Sequence, residues 1–286
     1  MTEVEPFAAP GEGPYGIAQT APDTLWVTLV HADAVVRRTP DGASTRFDLA
    51  PGAAPTAIVP APDGSVWFSR HGDGHLGRIA PDGSQTSVPV PGVPYGLVLT
   101  GDGSLWFTDT EGHRVGVLAP DGSVELVDLP ADCFPAGLAV GPDQALWCTL
   151  NQANALARIT PDRAVTVHPL PTPDAGPVGI TCSGGHLWFV EIGAGALGRV
   201  DPGGRIRELP LPDRDARPHA IAPDGAGGCW FTEWGAARLG HVDPRGRITH
   251  APPLPPGSEP HGLSVWGRRV WVALESGELA RVTADR

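Results

Sequence analysis

His219 and His261 occupy matching places one repeat apart, in Ala216-Arg217-Pro218-His219 and Ser258-Glu259-Pro260-His261. A residue before proline is biased toward extended backbone, so alternation is expected to set Glu259 and His261 on one side, with Pro260 turned away. The chain then returns through a hairpin near Gly267 and ends its next apolar segment at Glu275, back at the same end. Two carboxylates and two imidazoles are thereby expected on one rim. Like-charged carboxylates crowd together only when something compensates them, and oxygen donors suit a hard cation such as Mg2+ better than zinc. Tyr15, Tyr95 and Trp234 either pack or form an aromatic wall for a ligand beside this group.

The elements that must position these residues are announced by tryptophan. Trp26, Trp67, Trp106, Trp147, Trp188, Trp230 and Trp271 recur at steps of 39 to 42 residues. Pro14, Pro55, Pro94, Pro135, Pro177, Pro218 and Pro260 keep the same time. Each repeat holds short apolar segments separated by turn residues, with Pro-Asp-Gly at 40–42, 62–64, 81–83, 120–122 and 223–225. Asp-Gly supplies the positive φ of tight hairpins, and no segment shows sustained helical periodicity. The pattern predicts an all-β, seven-bladed propeller of four-stranded blades, with residues 1–286 as one domain. The seventh repeat stops one strand short, and the N-terminal TEVEPFAAP is expected to supply that strand and close the ring.

In a propeller the first strand of each blade lines the central channel. The residues after the repeat prolines, Tyr15, Thr56, Tyr95, Ala136, Val178, His219 and His261, should therefore ring one mouth. The ring is bland through repeats four and five and carries imidazole in repeats six and seven. His71 and His75 fall in a turn-like segment and are expected to be solvated. Asp109 and Glu191 end second strands elsewhere in the ring.

Composition narrows the function. The net charge of −12 disfavours nucleic acid and anionic membrane as partners. All 20 basic residues are arginine, which excludes a Schiff-base lysine and a P-loop lysine. Cys133, Cys148, Cys182 and Cys229 form no C-x-x-C pair and are expected as buried thiols. The acidic N-terminus lacks a signal-peptide core and no apolar run reaches membrane-spanning length, so a soluble cytoplasmic protein is expected. A closed ring favours a monomer.

Four segments carry a resemblance. Gly13-Pro14-Tyr15-Gly16-Ile17, Ala216-Arg217-Pro218-His219-Ala220-Ile221, Trp230-Phe231-Thr232-Glu233-Trp234-Gly235 and Ser258-Glu259-Pro260-His261-Gly262 are similar to the virginiamycin B (streptogramin B) lyase family. The repeat phrase LWFT…GRI…PDG extends the likeness along nearly the whole chain. The resemblance implies an enzyme that linearises cyclic depsipeptide antibiotics of the streptogramin B type. The lactone would open by elimination: a base removes the threonyl α-proton and the ester carboxylate leaves the β-carbon. Carried over by motif, His261 is the base, His219 a substrate contact, Glu259 and Glu275 the Mg2+-holding carboxylates, and Tyr15 faces the substrate. A metal-dependent lactonase on the same fold, and a non-catalytic binding propeller, are the rival readings.

Overall fold

The computed structural model describes residues 2–9 and 11–283. They form seven four-stranded antiparallel sheets arranged as a seven-bladed β-propeller. Blade one spans 14–48, blade two 55–89, blade three 94–128, blade four 135–169, blade five 177–210 and blade six 218–250. Blade seven takes three strands from 260–283 and its outermost strand from Thr2–Pro6, which pairs with Glu278–Thr283 from Thr2↔Val282 to Pro6↔Glu278. The expected closure by the N-terminus is present, tied further by Arg281–Glu3 and by Arg38–Glu5 across to blade one. The hairpins follow their turn chemistry. In Pro120-Asp121-Gly122, Gly122 sits at φ +88°, and Asp121 Oδ1 accepts from the Ser123 amide at 2.9 Å and hydroxyl at 2.7 Å.

Each in-phase tryptophan lies between two blades. Trp26 packs with Ile58 and Phe68 of blade two, Trp188 with Ile221 and Phe231 of blade six, and Trp271 with Ile17 and Val27 of blade one. Burying about 150–250 Å² of such a ring is worth roughly 4–6 kcal/mol before ordering entropy is counted. Arginines cover the outer faces: Arg37 lies 5.4 Å from the Trp26 ring, Arg199 5.2 Å from Trp188 and Arg163 4.4 Å from Trp106.

A second periodic device fixes the channel mouth. A hydroxyl two residues after the tryptophan reaches into the next blade and donates to the carbonyl of the residue that follows its proline. Thr28 reaches Thr56 at 2.7 Å, Ser69 reaches Tyr95 at 2.7 Å, Thr108 reaches Ala136 at 3.0 Å and Thr149 reaches Val178 at 2.6 Å. Thr232 reaches His261 at 3.0 Å while accepting the Ala220 amide at 2.9 Å. The hydroxyl thus absorbs backbone groups that the register shift in each first strand leaves without ladder partners. Thr232→Val keeps the volume but strands a buried carbonyl and a buried amide. We expect a loss of about 1–3 kcal/mol, seen as a lower urea midpoint at constant m; an unmoved midpoint would refute this role.

The approach to that mouth differs from the pre-proline expectation. Glu259 has φ +48°, and Ala54, Phe134 and Arg217 before their prolines lie at +42°, +46° and +48°. The chain must turn sharply from the interblade loop into the innermost strand, and this left-handed residue makes the turn. A local steric preference loses to that requirement. Glu259 therefore reaches the rim by a turn, followed by a register shift between Pro260 and Leu263, and not by strand alternation.

Candidate functional site

His261 enters the mouth from the start of blade seven (Pro260–Trp266), with its carbonyl held by Thr232. Glu275 follows the second strand of the same blade (Arg269–Leu274), and its amide donates to the Glu259 carbonyl at 3.1 Å. The two acidic residues are therefore neighbours across one strand pair. Glu275 Oε2 accepts a close hydrogen bond from His261 Nε2, and Glu275 Oε1 accepts from His31 Nε2 at 2.8 Å. A carboxylate can only accept, so His261 Nε2 carries the hydrogen and Nδ1 the lone pair. Nδ1 is buried and has no hydrogen-bond partner among the described residues, and the same holds for His219 Nδ1 and Trp234 Nε1.

Aromatic rings frame the base. Tyr15 stacks on His261 with centroids 4.4 Å apart, His219 meets His261 edge-on at 4.8 Å, and Trp234 lies at 6.4 Å. The Tyr15 hydroxyl bonds that of Tyr95 at 2.6 Å, joining blades one and three across the channel, and lies 3.4 Å from His219 Nε2. Behind them the channel is an apolar cavity of about 240 Å³ lined by Ile17, Ile58, Leu97, Leu138, Ile180 and Ile221. Outside the mouth, Glu259, Trp234 and Arg217 line a separate groove of about 410 Å³, with the Arg217 guanidinium 5.4 Å from the Trp234 ring.

Burial, reinforced by the neighbouring His261, pushes His219 down to about 3. His261 is also lowered, first by burial, against the raising pull of Glu275 and Glu259. Both imidazoles are neutral near pH 7. Burial alone would raise Glu275, but its hydrogen bonds to His31 and His261 outweigh that and hold it below its ordinary value. Tyr15 is raised well above its ordinary value by burial, then by Tyr95 and Glu275, so it stays a phenol.

The structure thus brings His261, Glu275, Tyr15, Tyr95 and His219 together. Trp234 is on their edge, and Glu259 is close enough to act electrostatically on His261. Among the described residues no group of three or more His, Cys, Asp or Glu is arranged to hold a metal ion. Mg2+ commonly takes one or two protein carboxylates and keeps several waters. Glu259 and Glu275, joined through their backbones at this rim, are the two carboxylates that would hold such an ion.

Outside the site, Asp109 is neutralised by Arg114 at 2.7 Å and by backbone amides. Glu191 is pushed up to about 8 by burial and then by Glu208. His71 and His75 are half-buried, contrary to the solvated expectation. His71 packs edge-on to Tyr95 at 6.0 Å, and His75 begins a strand (His75–Ile79). The cysteines are free thiols, with Cys133, Cys148 and Cys229 buried. His31 was absent from the sequence-derived set. Its signal was available in part: blades one and seven are neighbours in a closed ring, so the turn after Leu29 must lie near Glu275.

Comparison with known proteins finds the same fold. A crystal structure of selenomethionine-substituted virginiamycin B lyase from Staphylococcus aureus superposes with a TM-score of 0.95 at 34% identity, covering 100% of this chain and 99% of that one. A catalytically inactive histidine-to-alanine variant of the S. aureus protein, solved with quinupristin, gives 0.94 at 33% identity over 100% of both chains. A virginiamycin B lyase of Nocardia farcinica is 44% identical over 89 residues, 30% of this chain; the match spans 31% of that curated relative's length. The sequence model of the virginiamycin B lyase family matches residues 1–282, and the chain belongs to that family.

Proposed function

We propose that this propeller is a carbon–oxygen lyase that linearises streptogramin B-type cyclic depsipeptides at the threonyl ester, and so confers resistance to them. The observation that carries the reading is the buried His261, oriented through Nε2 by Glu275 and left with an unpartnered Nδ1 lone pair beneath Tyr15. An imidazole of depressed pKa, neutral at working pH, is suited to take a weakly acidic α-proton.

In the proposed step, Nδ1 of His261 accepts the threonyl α-proton. The C–H electron pair becomes the α–β double bond, the β-carbon–oxygen bond breaks, and the ester leaves as a carboxylate. No water is added. Glu275 stabilises the imidazolium that forms. His219, held neutral, adds no opposing charge beside it. The Tyr15 hydroxyl, fixed by Tyr95 and kept protonated, can donate to a substrate carbonyl, while Trp234 and Arg217 offer a flat wall to the ring of the depsipeptide. When bound by Glu259 and Glu275, Mg2+ supplies Lewis-acid polarisation of substrate carbonyl oxygens. The proposal includes action in the cytoplasm as a monomer.

The test is the mass of the product formed from a streptogramin B antibiotic with and without Mg2+. A linear product of unchanged mass, formed only with Mg2+, is expected. A product heavier by one water would replace the lyase by a hydrolase, and no conversion would remove the substrate assignment.

A further inference from the structure

We propose that His31 is a positioning residue for the reaction, anchoring Glu275 so that its second oxygen fixes the tautomer and orientation of His261. The inference rests on the lyase reading above. His31 lies in the turn after the second strand of blade one (Thr24–Leu29), 244 positions from Glu275 in the chain and next to it in the closed ring. The turn is pinned to the segment leading into Pro14 and Tyr15: the Val30 amide donates to the Gly13 carbonyl at 2.9 Å, and the His31 amide to the Glu12 carbonyl at 3.2 Å.

A seat for the ring is also present. A Cβ at Gly13 would lie 2.5 Å from His31 Cδ2, and Gly13 is itself at φ +65°. Only glycine leaves this space and adopts that backbone at little cost. The corresponding turn positions of the other blades are Gly72, Glu111, Gln152, Gly193, Gly235 and Ser276. Among these seven matched positions, only the one facing Glu275 is a histidine.

The geometry then acts through one carboxylate. Glu275 stands on a turn with its side chain 26% exposed, where a carboxylate would otherwise sample several rotamers. With Oε1 held by His31, Oε2 is presented to His261 Nε2 in one direction. Such an outer partner sets which imidazole nitrogen is basic, and losing one typically costs 10–100-fold. His31 is 53% exposed, and its side-chain hydrogen bond is to Glu275, through which it reaches the base.

The experiment compares wild type, His31→Ala and His31→Gln. Steady-state kinetics on a streptogramin B antibiotic are paired with NMR of the imidazole N–H protons in substrate-free protein. Glutamine can place an N–H where His31 Nε2 stands. His31→Ala is expected to lower kcat by about 10–100-fold with KM little changed, and to lose the hydrogen-bonded His261 Nε2–H resonance to exchange. His31→Gln should restore both. An alanine variant with wild-type kcat and an intact resonance overturns the proposal. Equal impairment of the two variants also overturns it, since that would make His31 a latch between blades one and seven. If wild type does not turn over the antibiotic, the lyase reading fails, and the resonance in the three proteins still decides whether His31 orders Glu275 and His261.

Discussion

Replacing His261 by alanine should abolish turnover of a streptogramin B antibiotic while leaving the propeller folded. General-base catalysis contributes about 10²–10⁴-fold, and no other group is placed to substitute. His219 is neutral, but burial and then His261 push it down to about 3, which makes it a poor base, and its Nε2 faces the Tyr15 hydroxyl at 3.4 Å. Glu275 is held by two imidazoles and is too weak a base once its pKa is lowered. The fold does not depend on the His261 ring, because Thr232 holds its backbone carbonyl and not its side chain. A variant with a native circular dichroism spectrum and no activity, partly restored by added imidazole, is the expected result. Near-wild-type turnover would move the base elsewhere.

How much of this was legible beforehand varies with the distance over which each feature is determined. The blades were legible because every repeat states them locally, in a tryptophan and a proline at fixed spacing, with Asp-Gly turns in several of them. The N-terminal closing strand was legible because the last repeat is visibly one strand short. Pairing His261 with Glu275 followed from hairpin geometry within one blade. The hydroxyl stitches also stand in the sequence, two residues after Trp26, Trp67, Trp106, Trp147 and Trp230. Recognising them needs to know which backbone groups the register shifts leave unpaired. The backbone at Glu259 was misjudged because a steric preference between two adjacent residues was overridden by the turn into the blade. His31 was invisible to any argument confined to one repeat, since its partner comes from the opposite end of the chain. His71 was misplaced for a related reason: what buries it is Tyr95 of the next blade.

His219 should cost this fold stability on acidification, while Glu191, raised to about 8 by burial and then by Glu208, works in the opposite direction over the same window. In the unfolded chain a histidine titrates near its ordinary value of about 6.5. In the native protein burial, then His261, pushes His219 down to about 3. Between those values the unfolded chain binds a proton that the native state refuses, so stability falls as pH falls. The slope is about 1.4 kcal/mol per pH unit. By pH 4.5 this one group should have removed about 2–3 kcal/mol relative to pH 7. The lowered pKa of His261 acts in the same direction, and that of His168, set by burial and then Arg158, adds to it. The hydrogen-bonded aspartates in the Asp-Gly turns, such as Asp63 and Asp121, are lowered and stay ionised through this window. Urea unfolding at pH 7 and pH 4.5 isolates the effect when wild type is compared with His219→Gln, which cannot protonate. The variant should lose about 2–3 kcal/mol less on acidification, whatever its stability at pH 7. Equal acid losses in the two proteins would mean that the site admits enough water to let His219 titrate normally. The mouth would then be too wet to keep His261 the neutral, oriented base that the elimination requires.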